Sequence, residues 1–358
     1  MAEGRPTLDT VAAAAGVSRM TVSNAYNRPD QLSADTREHV LSVAATLGYP
    51  GPNPAARSLR RRSSGTIGVL LTERLPYAFT DPGLVSLLRG LATELGSAGQ
   101  SMLLVPAEAD DVEEVVRNAL VDGFVICSMD ESDDAVIAVR LRQQPTVTVG
   151  HPRLPGVPLV AIDNVRAAAF AAEHLLQLGH RRFGILNLLG RRPGDTEHRD
   201  VPVRFGIDDR VEGFRRAVAA VAGTSVVVET AQVHTHDEAV RVARVVLDVP
   251  APHRPSAVFC VTDVLALGVL DAARQLGLSV PADLSVVGFD DIEEASRAVP
   301  PLTTVKQDLE GKGRVAARAV LDRIAGAKPR VPQLSAHLVV RESTAPPRRR
   351  RGRRSPTQ

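Results

Sequence analysis

Apolar residues recur along this chain in two rhythms, and the change of rhythm divides it. Over the first fifty residues or so the period is helical. Leu8, Val11 and Ala12 share one face of a segment that Thr7 can cap, so a first helix is expected from Leu8 to Ala15. Gly16 permits a positive-φ corner and Ser18 can cap the next helix, which turns Val22 inward beside Val17. Arg28-Pro29-Asp30 breaks that helix. Ser33-Ala34-Asp35 starts a third, whose stripe is Val40, Val43, Ala44 and Leu47 up to Gly48. From Thr66 the pattern becomes short apolar runs separated by helical stretches, the mark of βαβ units around parallel sheets. Strands are expected at Ile67 to Leu71, Met102 to Val105, Phe124 to Cys127, Val147 to Val149 and Leu159 to Ile162. A second series follows at Phe183 to Leu186, Val226 to Thr230, Ala257 to Val261 and Leu284 to Phe289, with helices such as Arg210 to Val221 and Asp237 to Leu247.

The reading is therefore a small all-α helix-turn-helix domain over residues 1–50, then an α/β core of two doubly wound parallel-sheet subdomains over 66–344. Between them, 51–65 is a proline-rich linker in which Asn53 and Pro54 can start one short helix through Leu59, too short to persist alone. Asn187 to Asp209 is a long Arg-, Gly- and Pro-rich connection, and loops of that length are usually functional or mobile. Residues 345–358, with Pro346-Pro347 and an arginine run, read as a disordered basic tail.

Charge sharpens the division. Residues 1–65 hold eight basic and five acidic side chains, 66–344 hold 29 and 36, and 345–358 hold six and none. Positive ends on an acidic body suit a protein that offers its amino-terminal domain to phosphates. No run reaches the eighteen or so apolar residues of a membrane span, and no signal-peptide layout opens the chain, so it is expected to be cytoplasmic. Cys127 and Cys260 each end a buried-strand pattern and read as reduced core thiols.

The second helix carries the chemistry of the first domain. Its outer face presents Arg19, Met20, Ser23 and Asn24, a set suited to base edges in a major groove. For the core, an enzyme reading lacks support: there is no phosphate-cradling Gly-x-x-x-x-Gly-Lys, no Gly-x-Gly-x-x-Gly after a strand and no Gly-x-Ser-x-Gly elbow. His234-Thr235-His236-Asp237 is the one metal-like cluster, and no third ligand stands at a recognisable spacing, so neither metal nor cofactor is expected. A rival reading makes the first sixty residues a protein-interaction module, whose binding would be insensitive to salt where DNA binding is steeply sensitive.

Several motifs together resemble the lactose-repressor and galactose-repressor family of bacterial transcription factors over nearly the whole length. They are Thr7-Leu8 to Thr21-Val22-Ser23, Ser33-Ala34-Asp35-Thr36-Arg37, Asn53 to Leu59, Leu284-Ser285-Val286-Val287-Gly288-Phe289-Asp290-Asp291 and Pro300-Pro301-Leu302-Thr303-Thr304-Val305. Leu178-Gly179-His180-Arg181-Arg182 and Arg210-Val211-Glu212-Gly213-Phe214 fit as well. The resemblance implies a DNA-reading domain, a hinge helix and a core like a periplasmic sugar-binding protein. Its first subdomain would take about 66–162 and 307–326, and its second about 163–306 and 331–344.

Carried over by residue, the resemblance puts base reading on Arg19, Met20 and Asn24, with Thr7, Ser18, Thr21 and Ser23 near phosphates. Asn53, Ala56 and Leu59 fall in the hinge, Leu59 as a minor-groove wedge. Ligand positions fall on Arg210, Thr262, Asp290 and Gln307. Three departures concern the effector. Thr262 stands where many sugar-responsive members have Asn, Gly150-His151 stands where an acidic residue is common, and Tyr77-Ala78-Phe79-Thr80-Asp81-Pro82 replaces an Asn-Pro-Phe-Phe region. Tyr77, Phe79 and His151 are therefore added as ligand candidates, the two aromatics either stacking on a ring or packing under the loop. The implied protein is a homodimeric regulator, with a pseudo-palindromic double-stranded operator and a small polar effector as partners and no membrane association. The proline and arginine tail offers no leucine-heptad helix for tetramers.

Overall fold

Thr7 and Thr10 cap the first helix reciprocally: each hydroxyl accepts the other's backbone N–H, at 3.3 and 3.2 Å. A computed structural model describes residues 6–51, 63–72, 75–107, 109, 111–188 and 207–348. Asn53, Ala56 and Leu59, residues 189–206 of the long connection and the arginines beyond Arg348 lie outside the described residues. The chain forms two units, Met1–Gly65 and Thr66–Gln358. Among the described residues no helix is long and apolar enough to cross a membrane.

In the first unit α1 (Leu8–Ala15) ends at Gly16, whose φ of 65° turns the chain toward α2 (Arg19–Asn27). A 3-10 turn over Pro29–Gln31 leads to α3 (Ala34–Thr46), capped by Ser33. Val11, Ala12, Ala15, Val22, Ala25, Val40 and Ala44 form the core. Leu47, expected on the inner stripe, is exposed, because the helix ends at Thr46 and Gly48 (φ 65°) reverses the chain. Tyr49 closes the bundle instead, edge to face with Tyr26 at 6.0 Å between ring centroids.

The second unit holds two sheets. The first has the order β2-β1-β3-β4-β5, all parallel, from β1 (Thr66–Leu71), β2 (Ser101–Pro106), β3 (Gly123–Cys127), β4 (Thr146–Val149) and β5 (Leu159–Val160). Strand alternation sorts its side chains onto two faces. Ile67, Val69, Leu71, Val125 and Cys127 meet α4 (Pro82–Ser97) and α11 (Leu309–Ile324); Leu70, Phe124 and Ile126 meet α5 (Val112–Asn118) and α6 (Asp134–Arg142). The second sheet has the order β11-β10-β9-β8-β6-β7, from β6 (Arg182–Leu188), β7 (Ser225–Ala231), β8 (Ala257–Cys260), β9 (Ser285–Asp290), β10 (Thr303–Gln307) and β11 (Ala336–Val339). Only β11 runs antiparallel to its neighbour. Around this sheet pack α7 (Asn164–Gln177), α8 (Ile207–Ala219), α9 (His236–Leu247) and α10 (Asp263–Gln275) over a core that includes Phe183, Phe214 and Phe259. Cys127 and Cys260 are buried free thiols, Cys127 pushed up to about 12 by burial.

The chain passes between the two sheets three times: after β5, between Gln307 and Leu309, and again after α11. Beyond β11 it stays against the second sheet. Ser285 Oγ and His180 Nε2 both bond Ala345 O, and Arg348 pairs with Asp283 at 2.9 Å. The expected disordered tail is thereby corrected for residues 345–348: His180, buried among Ser256, Ser285 and Ala345, pins the strap.

Candidate functional site

On α2, Ser18 Oγ accepts from Thr21 N at 3.0 Å, fixing the start of the helix after its corner. Burial of Val22 and Ala25 turns the opposite face outward. Arg19 and Met20 are exposed, Met20 at 69%, an apolar side chain left in water. Arg19 keeps only a loose pairing with Asp9 at 3.5 Å, both side chains about two-thirds exposed. Thr21, Ser23 and Asn24 are half-buried, and Asn24 Nδ2 reaches Gln31 Oε1 at a long 3.4 Å. Ser23 accepts from Asn27 through both its carbonyl and its hydroxyl. Thr7 is exposed at the cap of α1. Arg19, Met20, Thr21, Ser23 and Asn24 thus lie on α2 outside its buried Val22 and Ala25.

In the second unit the carboxyl ends of the strands bring distant residues together. Arg210, near the start of α8, places its guanidinium carbon over the Phe289 ring, 3.8 Å from the centroid. It donates to Asn164 Oδ1 at 3.1 Å, to Val261 O at 2.6 Å and to Asp290 Oδ1 at 3.4 Å. Asp290 closes β9 with φ 122°, a conformation L side chains rarely adopt, and Asp291 follows at φ 59°. The kink separates the two carboxylates. Asp291 is held by Arg341 at 2.6 Å and Lys306 at 3.2 Å, away from Arg210. Gln307, ending β10, donates through Nε2 to Asp290 Oδ1 and accepts through Oε1 from Lys312 Nζ. Burial pushes the Asp290 carboxyl up, with Arg210 and Gln307 pulling it back, and burial also lowers Arg210.

A second group crosses from one subdomain to the other. The Tyr77 hydroxyl donates to Asp81 Oδ2 at 2.6 Å, and His234 Nδ1 is 3.0 Å from the same oxygen. His234 Nε2 is 2.9 Å from Thr262 Oγ1, and Thr262 caps α10. Tyr77 and Asp81 belong to the first sheet's side, His234 and Thr262 to the second. Burial alone raises the Asp81 carboxyl, yet His234, Tyr77 and the Leu84 amide hold it down at about 2. Asp81 and His234 also act on Asp290, so the two groups share one electrostatic neighbourhood.

Of the sequence-expected ligand residues, Arg210, Asp290 and Gln307 make one network, and Thr262 and Tyr77 make the other. Phe79 is 68% exposed, and His151, just past β4, acts on Asp130 instead; among the described residues no hydrogen bond or ion pair joins either to the networks. Asp81, His234, Asn164 and Lys312 were missed. His234 had a signal, the histidine pair at 234 and 236, but the two part company: His236 pairs with Asp271 at 2.9 Å on the surface. Asp81 had the signal of a capping residue before Pro82, and its Oδ1 does accept from Leu84 N at 2.9 Å.

Known proteins share both units. Residues 7–53 match the model of bacterial regulatory proteins of the lacI family, and residues 172–344 match a periplasmic binding protein-like domain. An HTH-type transcriptional regulator of Mycolicibacterium smegmatis is 38% identical over 96% of this chain and 97% of its own. A crystal structure of the lac repressor dimer bound to operator and the anti-inducer ONPF is 27% identical, with TM-score 0.77 over 95% of this chain and 99% of its own. A complex of the transcriptional regulator CelR with cellobiose is 33% identical, with TM-score 0.67 over 95% and 100%.

Proposed function

The chain is a transcriptional regulator of the lacI family, and from that premise we propose that it works as a homodimeric repressor whose grip on a pseudo-palindromic operator changes when a small polar effector binds between the two subdomains. The observation that carries this reading is the pair of polar networks at the strand ends, where Arg210, Asp290, Gln307, Thr262, His234, Asp81 and Tyr77 converge from both subdomains. A ligand there touches groups that move relative to one another when the subdomains shift, so its binding free energy can differ between two arrangements. Cellobiose in the CelR structure supports a sugar-like effector. The operator-bound dimer in the lac repressor structure supports two recognition helices in successive major grooves.

Arg19, Asn24 and Met20 read bases in this arrangement: arginine forks onto guanine, asparagine pairs with adenine, and methionine lies against a thymine methyl. Thr7, Ser18, Thr21 and Ser23 set the register on phosphates. Asn53, Ala56 and Leu59 complete the proposal as a hinge that enters the minor groove. Binding rather than turnover is the proposed task of these networks.

Selection of DNA fragments from a randomised pool tests the DNA half. The wild-type chain should enrich a two-fold symmetric site whose affinity falls steeply with salt. Asn24→Ala should lose about 1–3 kcal/mol on that site and relax one position per half-site. Enrichment of no symmetric site, or unchanged preference in Asn24→Ala, would refute the assignment.

A further inference from the structure

Lys312 stands one turn into α11, just past the point where the chain leaves β10 and the second sheet. It is 6% exposed, and burial followed by repulsion from Arg210 lowers its ammonium to about 8, with Asp290 opposing. An ammonium has three donors. Here one of them meets the neutral Gln307 Oε1, and among the described residues no carboxylate lies within ion-pair distance of Nζ. The other buried charges of this unit are better served. Asp291 has two cationic partners, and Asp263, which burial pushes toward its neutral acid, accepts from Thr304 Oγ1 and Ile292 N. Arg210 spends Nε and Nη1 on three acceptors, while its Nη2 makes no hydrogen bond to a described residue. Two buried cations with unused donors thus flank Gln307 and Asp290; Asp290 acts on both, while Asp263 and Asp209 act on Arg210 as well, so Lys312 is the less compensated of the two. A buried charge left without a partner is costly, and a folded chain retains one where something else completes it.

We infer that the effector of this cleft carries a compact oxyanion, a phosphate ester or a carboxylate, that docks between Lys312 and Arg210. The inference rests on the effector-binding reading above and narrows it from a polar ligand to an anionic one. Gln307 is the fixed element of the subsite: Asp290 holds its amide nitrogen and Lys312 its oxygen, so the side chain cannot flip. An oxyanion takes the free ammonium and Nη2 donors in charge-assisted hydrogen bonds, whereas a neutral sugar hydroxyl gives each cation only the weaker kind.

Thermal melting of the full chain at constant ionic strength tests this with inorganic phosphate, acetate, glucose, glucose 6-phosphate and gluconate. Phosphate should raise the wild-type midpoint above that in sodium chloride. In Lys312→Met the phosphate concentration for half the shift should rise on the order of ten- to a hundredfold, the equivalent of a charge-assisted hydrogen bond, and Lys312→Arg should recover most of it. Without added anion Lys312→Met should melt at or above wild type. A melt several degrees below wild type means that the protein already satisfies the ammonium, and the proposal fails. It fails too if phosphate and acetate match chloride, or if the phosphate shift persists in Lys312→Met. Glucose 6-phosphate or gluconate should exceed glucose, and the stronger of the two names the anion. If glucose equals both and its shift survives Lys312→Met but not Arg210→Ala, the anionic class is wrong and the cleft reading stands. If the shift survives Arg210→Ala as well, both fall.

Discussion

Adjacent acidic residues do unlike work because the backbone between them is kinked. Asp290 looks onto Arg210 and Gln307, while Asp291 is tied by Arg341 and Lys306 to the flank of the second sheet. Beneath them Asp263 is wholly buried, and burial with the nearby Asp290 charge pushes it from an ordinary 3.8 to about 7. A carboxyl that keeps its proton when folded and releases it when unfolded favours the folded state at low pH. Its contribution is full below about 4 and is lost as pH rises through about 7, at up to about 1.4 kcal/mol per pH unit. Asp263→Asn should therefore flatten the fall in stability between those pH values, measured by urea unfolding at pH 4.5 and 7.5. Its absolute stability should drop, since one amide oxygen serves two donors less well. An unchanged slope would mean that Asp263 is ionised in the folded protein.

At the scale of elements, the closest packing in the core depends on absent side chains. A Cβ on Gly90 of α4 would stand 2.0 Å from Glu310 O, and one on Gly313 of α11 would stand 2.2 Å from Leu87 O, so each helix lets the other's backbone in. Gly313→Ala should cost about 1–3 kcal/mol by overpacking. Gly96→Ala, in the same α4 with open space around it, should gain up to about 1 kcal/mol. Equal effects in chemical denaturation would contradict the crossing. Element positions were largely legible: Leu8 to Ala15 and Ile67 to Leu71 declare themselves by spacing and caps, and most other strands end within a residue or two of expectation. Leu159 to Ile162 was read too long, because Asp163 caps the next helix and Ile162 bridges to Leu334 rather than to β4. What could not be read was pairing across distance. Arg210 and Asp290 came through the family motif, but Asp81 and His234 lie 153 residues apart, and no local pattern tells a cap or a loop histidine that it faces the other subdomain. Lys312 carried no such signal, since nothing in the local spacing marks one lysine of α11 as buried.

For the molecule as a whole, positive ends and an acidic body fit the proposed division of labour, in which one part meets phosphates and the other the effector. The two are coupled only if the ligand prefers one arrangement of the subdomains over another. The direct measurement is an operator titration by fluorescence anisotropy, on the selected symmetric site, with and without the ligand that most raises the melting midpoint. In the wild-type chain that ligand should change operator affinity by about 5- to 150-fold, the usual range of such coupling. In Arg210→Ala, which loses the guanidinium between Asn164, Val261 and Asp290, the difference should vanish at the same ligand concentration. A wild-type operator affinity identical with and without saturating ligand would contradict control of DNA binding from the cleft.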